Sequence, residues 1–226
     1  MRQVICVLFA LLVGACASAP ETANEKSQQK QILNYAKADQ DYVNIAQKII
    51  SQEAVSDDFD RIMKLFPLTS FYSTTNKQEE QIKQQSSQFM MQNQWFPCLR
   101  VNRQLINANY TSLTGHYGMA ICSQEARDFE GAKFHNWVLD NYIEAIWRTG
   151  DGQSPETAFY INTVQDLIAF VQLHQLQVVS QELIYRDKTP IQFVKVQNPE
   201  NLREYEWYFD MTAQFRRAYI DRLESQ

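Results

Sequence analysis

Histidine is scarce in this chain, with 3 in 226 residues, and they form neither an HxH nor an HExxH spacing. Metal sites usually draw on three or four ligands. The only plausible ligand pair is His116 and His135, which lie about ten and nine residues either side of a turn at 125–127. In an antiparallel hairpin they would stand at similar heights, with Asp140 or Glu144 one or two turns on. That set falls short of a metal centre, so no metal and no cofactor are expected. No GxSxG nucleophile motif occurs either. Lysine and arginine are not clustered and the net charge is −5, which argues against a nucleic-acid partner. Beyond the N-terminus no apolar run approaches the roughly 20 residues of a membrane-spanning helix.

What is present begins at the N-terminus, "MRQVICVLFALLVGACASAP". Arg2 precedes an apolar run from Val4 to Val13 that is too short for a permanent span. Small residues then lead to Cys16, as in a secretory leader. "VGAC" resembles the bacterial lipoprotein signal, in which the cysteine is both cleavage boundary and lipid acceptor. The resemblance implies a signal peptide at 1–15 and a mature chain that starts at a diacylglycerol-bearing Cys16. Acyl chains contribute roughly 0.8 kcal/mol per buried methylene, so the anchor is durable. Ala17, rather than aspartate, follows the cysteine. In Gram-negative lipoproteins this implies sorting to the outer membrane, with the domain in the periplasm. Residues 16–30 are small, polar and charged, and read as a disordered tether. Cys98 and Cys122 remain after Cys6 leaves and Cys16 is acylated. An exported pair in an oxidising compartment invites a disulfide. The two lie symmetrically about Tyr110, the centre of an expected helix-helix turn.

The remaining chain is α+β by pattern. Residues 31–149 carry helical periodicity throughout and 150–226 mostly do not. An apolar face recurs over 31–53, and Ser56 stands where a second helix would be capped before Pro67 ends it. Further helices are expected from about 78, 96, 111 and 128, with Thr111 and Asp128 as caps. Pairs therefore recur about every 33–34 residues, the tetratricopeptide period. Tyr110, Leu113, Tyr117, Phe129 and Ala132 match part of that consensus, whereas its glycine and alanine fall out of register. After Thr149 come a short strand, "AFYIN", and a helix opened by Thr163 and Asp166 in capping-box spacing. Three strand-like runs follow: "VVSQELIY", "PIQFVKVQ" and "EYEWYFDM". Strict alternation in the last and short polar loops between all three imply a small, mostly antiparallel sheet. A final helix covers it, and this α+β region is expected to share a core with the helices.

The turn "TGDGQSPET" invites a phosphate or calcium reading. A phosphate site needs a helix directly after the glycines, and here a strand follows. A calcium loop needs more carboxylates. Gly150 suits a left-handed helix terminus, Gly152 a second unusual backbone angle, and the stretch reads as a structural turn.

"DFDRIMKLFPLTSFY" at 58–72, "TGDGQSPETAFYINTVQDLIAFV" at 149–171 and "EWYFDM" at 206–211 resemble the family catalogued as domain of unknown function 4919. The resemblance implies secreted or lipid-anchored bacterial proteins and brings no established activity or catalytic residue. No catalytic residue is assigned from the sequence. The adjacent carboxylates Asp57–Asp58 and Glu79–Glu80 lie on polar faces and read as solvated. Two readings stay open. One is a binding or scaffold module for an envelope protein or peptide, with Trp95, Tyr117, Trp137, Trp147 and Arg148 as candidate contacts. The other is a hydrolase of envelope polymers, with a carboxylate site gathered only in space. His116, His135 and Asp151 are the candidate polar site.

Overall fold

The computed structural model describes residues 23–73 and 77–224. The expected leader and Cys16 lie outside them. Helix α1 spans Ala23–Ile50, so helical backbone begins inside the segment expected to be a disordered tether. Alanine, glutamate, lysine and glutamine dominate there, and all are strong helix formers. One compact body comprises the residues from Asn34 onward. Within it, Tyr42, Ile45, Ala46 and Ile49 form the buried stripe of α1 at helical spacing.

Helix α2 (Ser56–Leu65) buries Phe59, Ile62 and Met63. Ser56 is its first residue and not its cap. Val55 holds the cap position, and its N–H donates to the Asp58 carboxylate at 3.1 Å. A 3-10 turn at Phe66–Leu68 follows, with Pro67 ending the helix as expected.

Four helices then pack each against the next: α3 (Lys77–Met91), α4 (Trp95–Ala108), α5 (Leu113–Glu125) and α6 (Phe129–Trp147). These are the expected helical hairpins. Asp128 caps α6 by accepting the Gly131 N–H at 3.0 Å. The cap of α5 is Ser112, whose Oγ accepts from Gly115 at 3.1 Å, and not Thr111. Thr111 is diverted: its amide and its hydroxyl both donate to Asn109 Oδ1, at 3.0 and 2.8 Å.

Cys98 and Cys122 are disulfide-bonded across α4 and α5, with Cα atoms 6.1 Å apart, inside the usual range. Asn102, one turn from Cys98, donates to Ser86 Oγ of α3 at 2.7 Å and to the Cys98 carbonyl at 2.9 Å. The bridge therefore sits in a buried polar contact that ties three helices together.

The second half is a sheet of order β1-β4-β3-β2, from Phe159–Tyr160, Gln177–Arg186, Thr189–Gln197 and Glu204–Asp210 in chain order. Strand β1 runs parallel to β4, and the other pairs are antiparallel. Asp187 and Lys188, both at positive φ, make the two-residue turn of the β2–β3 hairpin. Helix α7 (Val164–Leu173) follows β1, and α8 (Thr212–Glu224) packs on β3. One cluster of buried side chains takes in α1, α2, α6, α7, β1, β3 and β4. Among the described residues no helix is long and apolar enough to cross a membrane.

Because the disulfide closes a loop of 24 residues, its loss costs about 2–4 kcal/mol. We expect two fewer alkylatable thiols than cysteines in the body under denaturing, non-reducing conditions. We also expect a Cys98→Ser/Cys122→Ser variant to unfold at clearly lower urea concentration. Equal midpoints with and without the bridge would contradict this role.

Candidate functional site

Residues 109–112 connect α4 to α5, which opens at Leu113, and groups from four other elements converge on this stretch. Tyr42 of α1 accepts the Tyr110 N–H through its hydroxyl at 2.8 Å. The Tyr110 carbonyl accepts from the Tyr142 hydroxyl of α6 at 3.1 Å and from His116 Nε2 at 2.9 Å. A carbonyl has no proton to give, so His116 carries its hydrogen on Nε2. Its Nδ1 is then an acceptor for His135 Nδ1, 3.0 Å away. The two histidines therefore meet as a neutral, directional pair. Burial pushes His116 down to about 3, with neighbouring His135 adding to the shift. Burial and Arg103 push His135 down to about 4.

The same loop meets two carboxylates. Asp166, the third residue of α7, is buried and accepts the Leu113 N–H at 3.1 Å and the Thr163 hydroxyl at 2.8 Å. Thr163 caps α7 by accepting the Asp166 N–H at 3.0 Å, the local pattern that the sequence announced. Half-buried Glu79, on α3, accepts from the Ser112 hydroxyl at 3.3 Å. Burial pushes its carboxyl up to about 8, and the nearby Asp166 charge adds to the rise. Burial raises Asp166 as well, against the two donors that favour its ionised form. Like charges that feel each other disfavour ionisation of both carboxyls at once. Asp166 has the better donors, so the retained proton resides on Glu79. Glu79 is thus not the solvated carboxylate expected from its polar helix face. Asp58 is not solvated either: it is buried, and Lys48 Nζ lies 3.2 Å from it.

Along α3, Glu79, Lys83, Ser86 or Ser87, and Met90 share one face. Asp166, Ala169 and Leu173 do the same along α7. Between these faces and α5 runs an open groove of about 500 Å³, lined by Lys83, Ser86, Ser87, Met90, Thr114, Tyr117, Gly118, Ala169, Gln172, Leu173 and Gln175. The carboxylate pair stands about one helical turn beyond its end. Asp166 also borders a cavity of about 10 Å³ with Thr111, Tyr142 and Asn162, enough for about one water molecule.

The aromatic candidates do not converge. Tyr117 is 46% exposed in the groove. Trp95 is half-buried at the start of α4. Trp137 stands edge-on to Phe59 at 5.5 Å. Trp147 donates its indole N–H to His174 Nε2 at 3.0 Å and packs against Phe159 and Trp207. Arg148 lines a different cavity and grips Asp60 at 2.7 Å. His116 and His135 come together, but Asp151 lies on the exposed turn, where it accepts the Gln153 N–H at 3.0 Å and the Thr157 hydroxyl. That turn is structural. Gly152 has φ of 65° against the Phe159 ring. Gly150 is not left-handed as expected; it is small because a Cβ there would meet the Thr157 carbonyl. Among the described residues no group of three or more His, Cys, Asp or Glu is placed to hold a metal ion.

Residues 66–218 match the family described as domain of unknown function (DUF4919). The chain belongs to that family. No curated protein and no solved structure matches it significantly. The family region takes in α3, the groove and both carboxylates, and it starts after α2.

The raised Glu79 carboxyl has a consequence for stability. Its folded pKa lies above the unfolded value, so its contribution is fully present at low pH and is lost as pH rises through about 8. We expect Glu79→Gln to match the parent near pH 4.5 and to become the more stable protein toward pH 9. The expected difference is on the order of 1–2 kcal/mol, less than the full shift because Glu79 keeps some solvent. Urea unfolding across that range measures it, and a constant difference at all pH values would rule out the buried proton.

Proposed function

We propose that the chain is an outer-membrane-anchored periplasmic lipoprotein of a Gram-negative bacterium whose α3–α5–α7 groove binds an extended peptide segment of another envelope protein. The observation that carries the binding reading is the lining of the groove. Exposed hydroxyl and amide groups of Ser87, Gln172 and Gln175 alternate with Met90, Tyr117 and Leu173, and Lys83 is the one charged residue among the described lining. A peptide backbone needs neutral donors and acceptors beside shallow apolar contacts, and this surface offers both. Tyr117 is the natural anchor, being aromatic, amphipathic and exposed. The membrane location rests on the leader, "VGAC" and Ala17; a disulfide-bonded body suits an exported protein.

A hydrolase acting on envelope polymers is the second reading, favoured by one observation: the proton held on Glu79 beside Asp166 resembles a general acid poised near neutrality. Against it, the cavity at Asp166 admits about one water and no substrate.

Two experiments test the proposal. Cys16→Ala should release the protein from the outer-membrane fraction into the soluble periplasm; an unchanged, membrane-bound, processed product would refute the anchor. In intact cells a photo-cross-linker at Gln172 or Gln175 should capture a protein partner. Tyr117→Ala should reduce that capture about tenfold with the melting temperature almost unchanged. Unaltered capture by the Tyr117 variant would remove the groove reading. Loss of turnover of purified peptidoglycan on Glu79→Gln would instead establish the hydrolase.

A further inference from the structure

Strand β2 is one edge of the sheet, and the other edge, β1, has only 2 residues. At 10 residues β2 is long, and it is exposed along almost its whole length. The two-residue turn makes Arg186 and Thr189 a hydrogen-bonded pair, so Ile184 with Ile191 and Glu182 with Phe193 are hydrogen-bonded pairs too. Residues 181, 183 and 185 consequently direct their N–H and C=O groups outward, away from β3. Natural edges are usually guarded by lysine, proline or short length. Strand β2 contains neither lysine nor proline, and its bulge, between Val178 and Ser180, guards only its beginning.

We propose that β2 pairs antiparallel with β2 of a second copy of this chain, about a two-fold axis at Ile184. The occupant follows from the side chains. Glu182 and Arg186 lie two residues either side of Ile184 on one face of the sheet. Under that axis each Glu182 stands opposite the Arg186 of the second copy, so two opposite-charge pairs flank the paired isoleucines. On the other face, each Leu183 stands opposite a Tyr185, and these residues are 37% and 63% exposed. Aromatic–aliphatic and opposite-charge pairs are the favourable cross-strand combinations. Outward hydrogen bonding permits only registers that join residues of the same parity. Centring on Glu182 sets glutamate against glutamate, and centring on Leu183 leaves Arg186 opposite Ser180. Ile184 is the centre that satisfies both charges. Arg186 Nε already lies 3.2 Å from Glu156, but a guanidinium has five N–H donors and serves both carboxylates.

The register makes the test specific. Residues opposite in a non-hydrogen-bonded antiparallel pair have Cα atoms about 4.5 Å apart. In the full-length chain with Cys6 and Cys16 replaced by serine, mild oxidation of Ile184→Cys should give a disulfide-linked dimer that the same chain with Ile184 lacks. Leu183→Cys, which faces Tyr185, should give several-fold less. In sedimentation of the purified full-length chain, Glu182→Arg and Arg186→Glu should each weaken the dimer about tenfold or more. The double variant should restore it, and equal melting temperatures show that all variants are folded. A parent that is monomeric at every concentration overturns the proposal. So does a double variant no better than the singles, or equal cross-linking at 183 and 184.

Discussion

The backbone of Tyr110 is the joint on which the rest of the body depends. Its N–H goes to Tyr42 and its carbonyl takes hydrogen bonds from Tyr142 and His116, so α1, α5 and α6 meet at the backbone of one residue. Three residues on, the Leu113 N–H is held by Asp166, which brings in α7 and the sheet behind it. These are buried polar groups, and each would be costly without its partner. A buried backbone network of this kind admits few alternative arrangements, and it fixes how the helical hairpins sit on the α+β part.

Electrostatics around this joint oppose one another. The histidine pair is neutral because burial disfavours its charge, while Glu79 keeps a proton because burial disfavours its negative charge. Stability therefore falls on the acid side as the histidines take up protons and on the alkaline side as Glu79 loses one. The groove lies next to this balance. One of its walls, α3, is held at one end by Glu79 against Ser112 and farther along by Ser86 against Asn102, beside the disulfide. A helix rich in glutamine thus takes its position from these polar contacts together with Ile82 and Phe89, which pack against Val101 and Leu105 of α4.

Where periodicity and punctuation are strong, the elements were legible. The strands around "RDKT" and "NPENLR", the Pro67 stop, and the caps at Asp128 and Thr163 follow from local chemistry, and the structure has them. The symmetry of Cys98 and Cys122 about Tyr110 implied their pairing, because antiparallel helices bring equidistant residues to one height. The failures were local competitions. Ser112 won the α5 cap because Asn109 had captured Thr111, and Val55 took the α2 cap because Asp58 reached back to its amide. Gly150 is small because the Thr157 carbonyl folds back against it, a contact that local pattern cannot reveal.

The sequence by itself determined the class, the order of elements and the disulfide, because each depends on spacing along one element or across one short turn. Only the tertiary structure decided the character of Glu79. Its neighbours Ser112 and Asp166 lie 33 and 87 residues away in sequence, as the difference in residue numbers shows. A carboxylate on a glutamine-rich helix reads as solvated until chain segments that far apart close over it, and its proton affinity is set by that closure and by nothing local.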